Sequence, residues 1–183
     1  MRHTLKTIAR YAVIGLVLQC FLTSVGHAQS FASDPGKTGP VMLNLKVGGA
    51  FGLNVPAAQF ALVLDAGFAV DRARRAYIMA PIQFQISAGG AIIMIPVGFQ
   101  YDFPLPVKGL YIYPRAFIGY SPIVFAGSPT VHTGVFTPEV GIKYVLKQRW
   151  NFGFEPFSLP IVFAPGGAIV FYRFLFYAGV NLP

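Results

Sequence analysis

What this chain of 183 residues lacks is informative before any motif is read. It has one cysteine, Cys20, close to the N-terminus, so no disulfide framework braces the remainder. After residue 28 it has one histidine, His132. With no thiol to help it, a metal site of the usual histidine and cysteine type is excluded. Acidic residues number only 6 against 14 lysines and arginines, a formal net charge of +8. Mean hydropathy is high, +0.59, yet nothing beyond residue 28 offers the run of about 18 apolar residues that a spanning helix needs. The best stretch, 86–99, is broken by Ser87, Gly89, Gly90 and Pro96. A helical membrane protein is therefore not expected, and the apolar residues need another home.

The first residues explain part of the charge. Arg2, Lys6 and Arg10 precede an apolar stretch from Tyr11 to Val25, which closes on Gly26-His27-Ala28. A cationic start, an apolar middle and a small-x-small end predict a secretory signal peptide over 1–28, cleaved between Ala28 and Gln29. Leu18-Gln19-Cys20 departs from a lipoprotein box, because Gln19 stands where Gly or Ala is wanted. The expected organisation is a signal peptide (1–28), a short periplasmic segment (29–40) and one domain (41–183). Without the signal, eleven cations and six acids remain, a net of +5. A basic balance suits nucleic acid or an anionic membrane surface. An exported chain meets only the second, so no nucleic-acid partner is expected.

The positive signal is a two-residue rhythm that recurs about eight times after residue 40. Its clearest instance is Val170, Tyr172, Phe174, Phe176, Ala178, Val180 and Leu182, interleaved with Arg173, Tyr177, Gly179 and Asn181. Strands are predicted near 41–53, 59–71, 76–88, 91–102, 109–121, 133–146, 150–162 and 168–182. The alternation fades in the seventh after Glu155. About 12 residues at about 3.3 Å each, tilted near 45°, cross roughly 28 Å, close to a bilayer core. The predicted fold is all-β: an eight-stranded antiparallel up-and-down transmembrane β-barrel, which leaves no edge for lipid to meet.

The polar phase of the rhythm defines the expected interior. Lys46, Asp65, Arg115, Glu139, Lys143, Glu155 and Arg173 share the inner face with many glycines. An eight-stranded interior is only just wide enough for side chains, and isolated charges there would be costly, so a paired network is predicted. That network reads either as a plug of salt bridges or as the lining of a narrow channel.

The turns add a direction. With the N-terminus on the periplasmic side, one set of turns holds Arg72, Arg74, Arg75, Lys108, Lys147 and Arg149, and the opposite loops hold no cation. Cations on the periplasmic side can meet anionic lipid headgroups. Tyr77, Tyr101, Tyr111, Tyr144 and Trp150 stand at strand ends beside these turns and are expected to form half of an interface girdle. The longest opposite loop, 121–132, is apolar in its first half and is expected to rest in lipid.

The C-terminal residues Tyr177-Ala178-Gly179-Val180-Asn181-Leu182 resemble the terminal β-signal of bacterial outer-membrane barrels, although the chain closes on Leu182-Pro183 without the usual aromatic. More loosely, the chain from residue 41 onward resembles the small eight-stranded barrels of the OmpA/OmpX/OmpW type. That resemblance implies residence in the cell outer membrane, contact with its lipid, and insertion by the barrel-assembly machinery.

Catalytic signatures are weak. Some barrels of this kind deacylate lipid A with outward His, Ser and Glu residues, but His132 is followed by Thr133 and Gly134, and Glu139 points inward. Gly89-Gly90 and Gly166-Gly167 read as hairpin turns, since neither precedes a helix or a lysine of phosphate-loop type. The expected protein is a monomeric, non-enzymatic barrel without a cofactor, structural or with minor passage of small or apolar solutes. The alternatives are a narrow ion or solute channel, a periplasmic lipocalin-like carrier, and a lipid A-modifying barrel enzyme.

Overall fold

The computed structural model of the protein describes residues 39–182. The predicted signal peptide, the Ala28–Gln29 cleavage point, the segment up to residue 38 and Pro183 lie outside the described residues. The described part is β throughout, in eleven segments: β1 (Val41–Gly52), β2 (Ala58–Ala69), β3 (Ala76–Met79), β4 (Ile82–Ser87), β5 (Gly90–Tyr101), β6 (Phe103–Pro104), β7 (Leu110–Phe125), β8 (Val131–Leu146), β9 (Trp150–Ser158), β10 (Ile161–Ala164) and β11 (Gly167–Leu182).

These segments make eight antiparallel strands closed into a ring. β1 pairs with β2 on one side and with β11 on the other. β2 pairs with both β3 and β4, and both pair with β5. The ring continues through β7 and β8, then through β9 and β10, each of which pairs with β8 and β11. β6 is a two-residue extra pairing on β7. Closure leaves no free edge on either side of any full strand, which satisfies the backbone without water.

Two of the expected strands are each split in two by a proline that has no N–H to give the ladder. Pro81 separates β3 from β4, and Pro160 separates β9 from β10. Neighbouring amides still find partners: Ala80 N–H donates to Ala66 (2.8 Å) and Leu159 N–H to Pro138 (3.0 Å). The side-chain phase survives Pro81, since Ile78 and Ile82 are both exposed. It slips before Pro160. Ser158 lies opposite Arg173 and Glu155 opposite Leu175, three residues against two, so β9 carries a bulge. This one-residue slip is why the alternation fades after Glu155.

A second difference concerns the loop expected over 121–132. β7 continues to Phe125 and β8 begins at Val131, leaving only 126–130 as connection. The apolar Ile123-Val124-Phe125 run is strand: Ile123 is buried inside, Val124 is exposed on the opposite face, and Phe125 is exposed at the mouth of the ring. A turn at Gly127, with φ of 77°, allows the shorter closure.

The outer surface is a continuous apolar belt. Leu45, Phe60, Leu64, Phe68, Ile95, Ile118, Phe152 and Phe176 are all about half exposed or more. So large an exposed apolar area excludes a water-facing exterior. The carrier of lipocalin type requires the reverse, a polar outside around an apolar cup.

Candidate functional site

The interior begins with parity. A residue on the inner phase of one strand meets inner residues of its neighbours, so the seven sequence-predicted charges converge although they lie far apart in the chain. All seven, together with Asp102, are at most 4% exposed. Arg115 on β7 is the hub. Its Nη1 donates to Asp65 Oδ2 (2.7 Å), its Nη2 reaches Glu155 Oε1 (2.7 Å), and its Nε donates to Glu139. Lys46 lies 2.5 Å from Asp65 Oδ2 and 2.7 Å from Glu155 Oε1. Arg173 Nη2 reaches Glu139 Oε1 at 2.5 Å. Lys46, Arg115 and Arg173 thus balance Asp65, Glu139 and Glu155, while Lys143 pairs separately with Asp102. A neutral sum and several hydrogen bonds per ion are what keep buried charges tolerable.

Neutral groups complete the cluster. Tyr113 donates to Glu155 Oε1 (2.7 Å), and Ser158 donates to Glu139 Oε1 (2.7 Å) while accepting from Arg173 Nε (3.2 Å). Arg173 Nη1 also donates to Gln83 Oε1 (2.7 Å). The β9 bulge is what turns both Glu155 and Ser158 inward; a regular strand would put one of them outside. Rings line the cations: Arg115 lies 4.9 Å from the Phe117 centroid and Lys46 5.0 Å from that of Tyr177. Glycines make the room for these rings. A Cβ on Gly141 would lie 2.3 Å from the Tyr113 hydroxyl, and one on Gly153 would lie 2.4 Å from the Tyr177 ring.

Two of the expected girdle residues are instead interior. Tyr77 and Tyr111 are buried inside the ring, where Lys143 Nζ sits 5.4 Å and 5.5 Å from their centroids. Their place near a strand end sets depth along the axis, but face is set by parity, and both share it with inward neighbours. Tyr77 donates to the Arg74 carbonyl at 2.8 Å. Tyr144 and Trp150 do face out, and Tyr101 is half-buried against Phe103, with centroids 4.7 Å apart. Asp102, at the end of the strand predicted over 91–102 and not among the seven expected charges, is a buried partner of Lys143 and accepts from Gln100 Nε2 (2.8 Å).

The other half of the interior is mostly apolar, with buried Gln85, Ser121 and Thr133 interspersed. Ile92, Met94, Ile123, Val135, Val162 and Phe171 form one buried cluster, flanked by Val55, Ala57, Val131 and Ile169. It lies toward the loops at 53–57, 88–89 and 126–130. Its border with the ionic half is Gln83, opposite Met94 in the ladder and bonded to Arg173.

No protein-family model matches the sequence, and no curated protein matches it. Solved structures do. Neisserial surface protein A aligns over 78% of this chain and 96% of its own, with a TM-score of 0.60 at 11% identity. The N-terminal β-barrel domain of Pseudomonas aeruginosa OprF aligns over 79% and 98%, with a TM-score of 0.55 at 14% identity. Ail, the attachment invasion locus protein of Yersinia pestis, crystallised with the heparin analogue sucrose octasulfate, aligns over 78% and 96%, with a TM-score of 0.52 at 6% identity. The chain has the fold of the small eight-stranded outer-membrane barrels. At these identities the likeness is one of fold alone.

The barrel's remaining sequence candidates can now be placed. His132 is exposed and its ring stacks on Tyr120, with centroids 5.8 Å apart. Among the described residues, no group of three or more His, Cys, Asp or Glu side chains converges as a metal site would require. What sequence reasoning missed in the barrel is Tyr113, Asp102, Gln83 and Ser158. Tyr113 and Gln83 share the inward phase of Arg115 and Gln85 and were recoverable from it. Ser158 depends on the bulge and was not.

Proposed function

We propose that this protein is a monomeric integral outer-membrane barrel whose interior is closed, so that its role is structural and its solute passage slight. The observation carrying this reading is the ionic cluster around Arg115: six charges cancel within hydrogen-bonding distance, and an apolar cluster fills the section beyond them. An ion entering would have to displace a paired charge and then cross a mostly apolar section, and both steps are costly. The barrel would reach its place through the barrel-assembly machinery and rest with its apolar belt in outer-membrane lipid. The interior hydroxyls that donate to carboxylates, Ser158 to Glu139 and Tyr113 to Glu155, are tied into the ion-paired cluster, and no catalytic step is assigned to them.

The narrow-channel reading is favoured by one feature, several buried polar atoms with no hydrogen-bond partner at more than one level of the interior: Asp65 Oδ1 in the ionic cluster, Thr137 Oγ1 at the border, and both amide atoms of Gln85 opposite Ile92. Such atoms are where water enters a polar interior.

Two measurements test the proposal. Fractionated cells should hold the protein in the outer membrane, and it should shift on SDS electrophoresis only after boiling; a soluble or unshifted band overturns the reading. In planar bilayers the barrel should give no sustained single-channel current. A steady current that changes in Arg115→Ala or Glu139→Ala would establish the channel instead.

A further inference from the structure

At the mouth opposite the cationic turns, a cavity of about 330 Å³ opens above the apolar cluster. Its walls and floor include Val55, Ile92, Ile123, Ile169 and Phe171, and it is also lined by Gln59 and Ser87. Among the described residues these are its polar side chains. Ser87 already donates its hydroxyl to the Gly90 carbonyl (3.3 Å). Gln59 does not have such a partner: its Oε1 is buried and accepts no hydrogen bond. A water molecule needs two to four polar partners to be held in a cavity, and this mostly apolar lining offers few. Such a site is poorly hydrated and favours an apolar guest that brings one donor.

The cavity is also built in advance. Asn54 ties the 53–57 loop to β11, donating from Nδ2 to the Ala168 carbonyl (2.7 Å) and accepting at Oδ1 from the Val170 N–H (2.9 Å). Gly52 N–H donates to the Ala57 carbonyl at 2.7 Å, which closes the loop on itself. A wall held this way loses little freedom when a ligand arrives. Below the floor the barrel narrows into packed side chains and then the ionic cluster, so an occupant is held rather than passed.

We propose that this mouth cavity is a binding site for a small, mostly apolar molecule with a single hydroxyl or amide N–H, which donates to Gln59 Oε1. At about 30 Å³ per water-sized group, the space takes roughly eleven non-hydrogen atoms. The inference rests on the closed-barrel reading, because an open pore would flood the cavity and carry the guest onward.

The test titrates 1-naphthol, a fused apolar bicycle with one hydroxyl, into the full protein in nanodiscs, with empty nanodiscs of the same lipid as reference. Saturable one-to-one binding is expected. Ile123→Trp, which fills the floor, should abolish it; Ala57→Phe, at the wall, does the same should the first variant fail to fold. Gln59→Leu should weaken 1-naphthol about threefold or more, the share of one hydrogen bond, and leave naphthalene binding unchanged. A signal no larger than that of empty nanodiscs overturns the site, as does binding that survives Ala57→Phe. The same samples are run boiled and unboiled on SDS gels. A normal heat shift without naphthol binding removes the site alone, whereas a missing shift in the wild type removes the barrel reading and the site with it.

Discussion

Toward the turns at 70–75 and 147–149 the interior is filled by Lys143, Arg115, Lys46, their carboxylates and the rings of Tyr77, Tyr111 and Tyr113. Toward the loops at 53–57 and 126–130 it is filled by Ile92, Met94, Ile123, Val135, Val162 and Phe171. Both fillings occupy the interior, but they are held by different physics. The ionic half is stabilised by directional pairs that fail together when one member is lost. The apolar half is stabilised by contact area, and a lost group there costs only its own burial and the cavity it leaves. One end therefore specifies a register and the other tolerates reshaping, which is where a ligand cavity can be accommodated.

The strongest way to break this contrast is Arg115→Ala. It strands Asp65, Glu139 and Glu155 with too few cations, and about 3–5 kcal/mol of stability should be lost, read as an earlier urea midpoint for loss of the heat-shifted band. Phe171→Ala in the apolar half should cost about 3 kcal/mol or slightly more, without changing bilayer conductance. Lys143→Met alone should cost about 3 kcal/mol because Asp102 is left buried and unpaired, whereas Lys143→Met with Asp102→Leu should lie within about 1 kcal/mol of the wild type. A double variant as unstable as the single one would show that the pair supplies more than mutual neutralisation. Ser158→Ala is the mildest, about 1–2 kcal/mol for bonds to Glu139 and Arg173. It sharpens the comparison, because an effect as large as that of Arg115→Ala would make the bulge, rather than the ions, the centre of the ionic half.

Much of this was legible from residue order. Leu43, Leu45 and Val47 against Asn44 and Lys46 reveal both faces of β1, and the same reading recovers the seven inward charges. Depth was less legible than face. Tyr77 and Tyr111 stand where girdle residues stand, and only their phase relative to Ile78 and Ile112 sends them inside. Asp102 closes the strand predicted over 91–102 and was not counted among the inward charges, yet its carboxylate reaches Lys143. The segment 121–132 was expected to be a loop, whereas the ladder continues through it with Pro122 opposite His132. The division of the interior into ionic and apolar halves was not read at all, since it depends on how strands shear past one another around the ring.

The sequence by itself determined the strand period, the apolar exterior and the set of charges that must face inward, because a side-chain period of two is a local property of the backbone. Only the tertiary structure decided which charge meets which, that the β9 bulge brings Glu155 and Ser158 to the same cluster, and that one mouth carries an apolar cavity. Those outcomes depend on register and closure, and both are set by contacts between residues more than a hundred positions apart, such as Lys46 and Glu155.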